Sequence, residues 1–157
     1  NMGICRGGNL LLGVSAVPAA LGEVWYISLI PIVYIAAITM ISRGEVHGGE
    51  RETIRAASLM YGLVILSIVL LAIFFSTDYW QVLPFLALLA YFILPPLIKA
   101  IREPAPKLIG MAVKAGVLAL IIMDAALATA FAGWLYGLLV LLLFPVSRFI
   151  AKAFAVT

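Results

Sequence analysis

The sequence predicts an all-α, polytopic transmembrane helix bundle of five to six spans, and its composition is the first reason. Hydrophobic residues make up 66% of the 157-residue chain and charged residues only 11%, and the mean hydropathy is +1.22. A soluble domain of this length cannot bury so much apolar surface, so the chain is expected to lie in lipid. Backbone groups in lipid must pair internally, and the segments lack the alternation of barrel strands, which leaves helices.

Segment length is the second observation. Six apolar segments cover approximately residues 10–21, 24–41, 56–75, 80–98, 108–132 and 134–149. At about 1.5 Å of rise per residue, the second to fifth segments can each cross a hydrocarbon core of about 30 Å. The first and sixth are of marginal length, and either can be a buried half-helix. No space remains for a soluble domain, so residues 1–157 are predicted to form a single transmembrane domain.

Local signals predict where several of these helices begin and end. Asn9 is a favourable cap for the first helix, and a tight turn is expected at residues 22–23. The Pro95-Pro96 pair should kink or end the fourth helix. Two further prolines in residues 103–107 should keep that connection extended.

Charge distribution is the third observation. Nine of the ten cations fall on one side of the predicted topology: Arg6, Arg43, Arg51, Arg55, Lys99, Arg102, Lys107, Arg148 and Lys152. The tenth, Lys114, is close enough to reach that side by extending its side chain. The other side has Glu23, Asp78 and an aromatic belt of Trp25, Tyr26, Tyr79, Trp80, Trp134 and Tyr136. This pattern predicts an integral membrane protein whose charged loops and both termini are cytoplasmic.

The longest polar stretch, SRGEVHGGERET at residues 42–53, is the main candidate site. Arg43 can bind a phosphate through its fork of donors. Glu45 and Glu50 are hard oxygen ligands of the kind that Mg²⁺ takes together with phosphate oxygens. Glu45 has no carboxylate partner four residues away within the loop, so an ion there needs ligands from elsewhere. A solvated connector between two helices is the alternative interpretation.

Other polar residues leave open alternatives. Arg6 and Asn9 are either part of an ordinary helix start or contacts for an anionic group at a helix N-terminus. Asp124 and Lys114 fall inside the fifth segment, ten residues apart, so they cannot pair directly along the helix. Charges at such depth usually face the bundle or a water-filled cavity. One cysteine excludes an internal disulfide and a cysteine-based zinc site.

Two strings in the chain resemble a known family. They are CRGGNLLLG at residues 5–13, which a short proline-containing helix follows, and YIAAITMISRGEVHGGERET at residues 34–53. Together they resemble the UbiA superfamily of intramembrane prenyltransferases, and most of all its UbiA-like EboC subgroup, in which similar strings recur. The resemblance extends from Met2 to about the end of the chain.

The resemblance implies a fold and a chemistry. Members of the superfamily are helical bundles that move an isoprenoid from its diphosphate to a lipophilic acceptor, using two Asp-rich motifs that hold Mg²⁺ and diphosphate. This chain is similar to the second half of such a bundle, so helices preceding Asn1 are expected to supply the first motif. Residues 42–53 stand where the second motif is found, although this stretch contains no Asp.

The same resemblance implies roles for particular residues. Arg43 and His47 would line the diphosphate pocket, with Arg6 and Asn9 at its cytoplasmic mouth. Glu45 and Glu50 would hold or order Mg²⁺.

The predicted function is therefore part of a membrane prenyltransferase, inactive as this piece alone. Its expected partners are a prenyl diphosphate, a lipophilic acceptor, membrane lipid and the N-terminal helices of the same bundle. The net charge of +3 does not indicate nucleic-acid binding. Two rival hypotheses remain: a non-catalytic transport or lipid-handling protein that uses the same cavity, and a structural membrane subunit whose loop binds a partner.

Overall fold

The protein is helical throughout the part of the chain that its computed structural model describes, residues 2–44, 51–146 and 149. The α-helices are α1 (Met2–Val14), α2 (Pro18–Val24), α3 (Leu29–Ser42), α4 (Arg51–Phe75), α5 (Leu83–Arg102), α6 (Pro106–Ala132) and α7 (Trp134–Leu141). Short 3₁₀ turns at Trp25–Ser28 and Tyr79–Val82 precede α3 and α5. Among the described residues there is no β-strand, which confirms the predicted all-α class.

Four helical stretches are long and apolar enough to cross a membrane. They are Pro18–Ser42, Arg51–Phe75, Tyr79–Arg102 and Pro106–Ala132, with 24 to 27 residues each. A shorter apolar helix covers Trp134–Val146. These four stretches correspond to the second to fifth apolar segments of the sequence, and they support the prediction of an integral membrane protein.

The first apolar segment differs most from its prediction. α1 begins at Met2, so Asn9 lies inside the helix and does not cap it. The chain turns at residues 15–17, and Pro18 opens α2. The prediction of a turn at residues 22–23 was therefore wrong, because α2 includes both positions. The physical reason is the missing N–H of proline, which is tolerated at the first position of a helix and not in its interior.

The Pro95-Pro96 pair does not end α5, which continues to Arg102. Membrane helices tolerate interior prolines because neighbouring groups satisfy the backbone acceptors that proline leaves free. The following connection does contain extended backbone, with Glu103 at φ −133° and Ala105 at ψ 142°. Pro106 then starts α6.

α6 lies at the centre of the bundle and contacts α3, α4, α5 and α7. Its buried positions are mostly small residues, among them Gly110, Ala112, Gly116, Ala119, Ala125 and Ala126. Small residues let helix backbones approach closely, and close packing drives helix association in lipid. Larger buried side chains on the surrounding helices belong to the same core, including Tyr34, Ile68 and Leu89.

The two ends of the bundle have different side chains. The six aromatic residues of the predicted belt are all exposed at one end, in or beside the 3₁₀ turns and the start of α7. There the Gln81 side chain accepts a hydrogen bond of 3.0 Å from the Trp134 backbone N–H. Exposed cations occupy the other end, where Arg51 donates to the Arg102 carbonyl at 3.2 Å. Which end faces the cytoplasm stays a prediction.

Candidate functional site

An ion pair joins two helices inside the bundle. The Arg6 guanidinium of α1 donates to the Asp124 carboxylate of α6. Asp124 lies about 27 Å along α6 from Pro106 and about 12 Å before Ala132, so both charges belong to the depth of the hydrocarbon core. The side chains keep 39% and 30% of their surface exposed. A charge at this depth is costly to insert, and pairing lowers that cost.

The position of Arg6 follows from how α1 packs. Gly3 of α1 lies against Ile32 and Ile35 of α3, and Gly7 lies against Ile32 and the Ser28 carbonyl. The residue order is reversed between the two helices, so α1 and α3 are antiparallel. Gly7 is buried in this contact. Arg6, its neighbour in sequence, is therefore held beside the start of α3 and reaches across to α6.

Sequence reasoning found both charges and missed their pairing. Arg6 was assigned to the diphosphate mouth, and Asp124 was left without a counter-ion. The two residues are 118 positions apart, and nothing in the helical spacing links them. One signal was present: an intramembrane carboxylate usually pairs with a cation, and Lys114 is at the wrong spacing to serve. Lys114 is exposed on α6.

Two tyrosines and a glycine form a second polar contact. The Tyr34 hydroxyl of α3 donates to the Gly116 carbonyl of α6 at 2.8 Å. The Tyr61 ring of α4 packs edge-on against Tyr34, with ring centroids 5.1 Å apart. The Tyr61 hydroxyl has no hydrogen-bond partner among the described residues, although only 3% of the residue is exposed. The absence of a side chain on Gly116 leaves room for this hydroxyl, since a Cβ there would lie 2.6 Å from its oxygen.

Removing the two hydroxyls should have different effects on stability. Tyr34→Phe is expected to lower the free energy of unfolding by about 1 kcal/mol, because it removes a buried hydrogen bond. Tyr61→Phe is expected to leave it unchanged or raise it by up to about 1 kcal/mol, because a buried hydroxyl without a partner is unfavourable. Unfolding of the purified variants in mixed micelles, followed by circular dichroism, measures both. Equal losses for the two variants would show that the Tyr61 hydroxyl has a partner.

The residues predicted to bind diphosphate are only partly described. Arg43 follows the last residue of α3 and lines a groove of about 290 Å³ with Thr39 and the first residues of α1, Met2 to Ile4. Measured along α1 from Met2, Arg6 lies at about 6 Å and Asn9 at about 10 Å. Asn9 is exposed, and the Arg6 guanidinium is engaged by Asp124. The structure therefore brings Arg43 to the start of α1 and directs Arg6 elsewhere.

The remaining predicted site residues, Glu45, His47 and Glu50, lie outside the described residues. Within residues 2–44, 51–146 and 149, no group of three or more His, Cys, Asp or Glu side chains is placed to hold a metal ion. Binding of Mg²⁺ by Glu45 and Glu50 stays a prediction.

A large apolar groove lies between α3 and α4. Its volume is about 770 Å³, and its walls include Leu29, Ile30 and Val33 of α3 and Leu63, Leu70 and Phe74 of α4. Tyr26 and Ser67 are the lining residues with polar side-chain atoms. The Ser67 hydroxyl donates to the Leu63 carbonyl of its own helix at 2.8 Å. Such a groove suits a hydrocarbon chain and offers little to a polar ligand.

Comparison of the chain with protein-family models, with curated proteins and with solved structures finds no match. Three features of the molecule bear on its function. These are the apolar groove, the polar stretch at residues 42–53 between the two helices that form the groove, and the intramembrane ion pair.

Proposed function

We propose that this chain is the C-terminal part of a UbiA-like membrane prenyltransferase, a bundle to which it contributes five to six spans. The observation that carries the proposal is the position of the apolar groove between α3 and α4. These are the two helices that residues 42–53 connect. A ligand with a charged head and a long hydrocarbon tail can therefore meet the polar loop and the groove on the same pair of helices.

The charged end of the donor would bind at the loop. Arg43 is exposed at the end of α3 and can form paired hydrogen bonds with a phosphate. His47 would assist it, and Glu45 and Glu50 would order a Mg²⁺ ion. Ionisation of an allylic diphosphate builds negative charge on the leaving group, which these cations stabilise. Helices outside this sequence would supply the first Asp-rich motif of the family.

The hydrocarbon end would occupy the groove. Val33, which lines the groove, lies about 15 Å along α3 from Arg43, and the groove extends about 18 Å along α4 between Leu63 and Phe75. An isoprene unit adds four chain bonds, about 5 Å when extended. A donor held at Arg43 therefore needs more than about three units to enter the groove. We expect long prenyl diphosphates to be preferred, with the apolar walls protecting the allylic cation from water.

A second candidate function is transport or lipid handling without chemistry. The Arg6–Asp124 pair favours it, because ionisable residues inside the membrane frequently mark pathways for ions and polar substrates. In this alternative the groove holds a lipid chain, and no bond to it is broken or formed.

Membranes containing the full-length protein test the proposal directly. Incubation with a radiolabelled long-chain prenyl diphosphate and a mixture of aromatic acceptors is expected to give a lipophilic product that depends on Mg²⁺. Arg43→Ala and Glu45→Gln should each lower the rate by at least about 100-fold, the size expected when a group stabilising the transition state is lost. Solute flux across proteoliposomes with no product formed would favour the second function.

A groove variant separates tail binding from head binding. Ser67→Trp places an indole inside the groove and should reduce turnover of a long donor more than turnover of a short one. Leu66→Trp is the matched control, since Leu66 is the neighbouring residue, is 54% exposed and does not line the groove. If both variants turn over the long donor like the unmodified protein, the groove is not the tail site.

A further inference from the structure

Three helix ends meet at the cationic end of the bundle. α4 begins at Arg51, α5 ends at Arg102, and α6 begins at Pro106. The Arg51 side chain donates to the Arg102 carbonyl at 3.2 Å, which ties the start of α4 to the end of α5. Arg43 of the proposed prenyl-diphosphate site lies at the end of α3, against the start of α1.

The side chains beneath this junction are buried. Ile54 and Ala57 of α4, Ala100 of α5 and Ile109 of α6 are all 1% exposed or less. The connection between α5 and α6 is also closed by backbone hydrogen bonds, from Glu103 to the Lys99 carbonyl at 2.9 Å and from Leu108 to the Ala105 carbonyl at 3.0 Å. The helix ends that present the side chains of this junction are therefore held by buried packing and by backbone hydrogen bonds.

Four of these side chains are exposed cations: Arg51, Lys99, Arg102 and Lys107, here called the basic patch. Glu103 is the carboxylate among them, so four positive charges and one negative leave an excess of three. The ion pairs within the described part of the chain are Arg6–Asp124 and Arg55–Glu52. Neither pair includes a member of the basic patch, so these cations can interact with an external anion.

We propose that the basic patch binds the headgroup of an anionic phospholipid in the adjacent leaflet. The patch stands at the ends of three helices long enough to span the membrane, at the level where headgroups lie. Arginine forks match phosphate oxygens, and the N-terminus of α6 adds partial positive charge. Basic pockets between membrane helices bind anionic headgroups through these same interactions.

The test is lipid selectivity of the full chain in a mixed bilayer. The protein is reconstituted with equal amounts of phosphatidylglycerol and phosphatidylcholine, extracted in mild detergent, and its retained lipids are quantified by mass spectrometry. Phosphatidylglycerol is expected to be enriched over the bulk ratio. The double variant Lys99→Gln/Lys107→Gln should lower the enrichment at least about fivefold, which corresponds to the attraction of about one cation near an anionic surface. These lysines make no hydrogen bond through their side chains within the described residues, so the fold should persist.

The matched control compares Lys114→Gln with Lys107→Gln. Each removes one exposed lysine of α6, but only Lys107 belongs to the patch, so we expect Lys114→Gln to retain the enrichment. Three results would overturn the proposal. The first is retention of phosphatidylglycerol at the bulk ratio, and the second is an equal loss of enrichment in the control. The third is a rise in thermal stability, when inorganic phosphate is added to a pure phosphatidylcholine bilayer, as large as the rise that phosphatidylglycerol gives, which would indicate a site for soluble phosphate.

Discussion

Replacing either member of the Arg6–Asp124 pair alone is expected to destabilise the bundle more than replacing both. Arg6→Met leaves a carboxylate without its counter-ion inside the span, and Asp124→Leu leaves the guanidinium in that position. Each single change should lower the free energy of unfolding by about 2.5–3.5 kcal/mol, the cost of an unpaired charge at the centre of a membrane helix. The double variant removes both charges, so its loss should be about 1 kcal/mol or less.

Unfolding in mixed micelles measures all three variants, and the double-mutant cycle gives the coupling energy between the two residues. Lys114→Met is the control, because it removes an exposed cation from the same helix outside any ion pair of the described chain. Its effect should stay within about 0.5 kcal/mol. Additive losses in the cycle would mean that the pair does not hold α1 to α6.

Gly137→Ala is expected to be the most disruptive single-methyl change in the contact between α6 and α7. A Cβ at Gly137 would overlap the Thr129 hydroxyl, and it would lie 2.9 Å from both the Ala125 carbonyl oxygen and Phe85 Cζ. The Thr129 hydroxyl cannot turn away without losing its 2.8 Å hydrogen bond to that carbonyl. Because a backbone atom limits the space, the helices must separate, and a loss of about 2–3 kcal/mol is expected.

Gly62→Ala provides the comparison for this change. Gly62 lies in the interior of α4, and a Cβ there would meet no atom within 4 Å. Alanine is the better helix former, so this variant should be as stable as the unmodified protein or more stable by up to about 1 kcal/mol. Measured in the same unfolding experiment, similar values for the two alanine variants would show that α7 does not approach α6 as closely as described.

The four long spans were predictable because they depend on local properties. Each needs a run of apolar residues long enough to cross the hydrocarbon core. The α-helix is the structure in which a single segment forms all of its own backbone hydrogen bonds. The start of α6 was predicted two residues late, because Pro106 was assigned to the extended connection although proline fits the first position of a helix. Counting loops predicted that the cations and the aromatic belt lie at opposite ends. This prediction was wrong for Arg6, which pairs with Asp124 eight residues before the end of α6, because the packing of α1 against α3 directs it there.

The amino-terminal part was predicted less well. Hydropathy predicted a short apolar segment at residues 10–21, and the favourable capping chemistry of Asn9 suggested that a helix begins beside it. α1 instead begins at Met2 and packs against α3 through Gly3 and Gly7. Capping preference is a weak signal when the surrounding residues can continue the helix and tertiary contacts stabilise it.

The sequence by itself determined that this is a helical membrane protein with a polar stretch between two apolar segments, because hydropathy and charge are properties of residues and not of their arrangement. Only the tertiary structure decided which charges meet: Arg6 with Asp124, and Arg51 with the carbonyl of Arg102. Such pairings depend on the order, direction and rotation of packed helices. Those variables are set by contacts between residues far apart in the chain, which no periodicity within a single helix records.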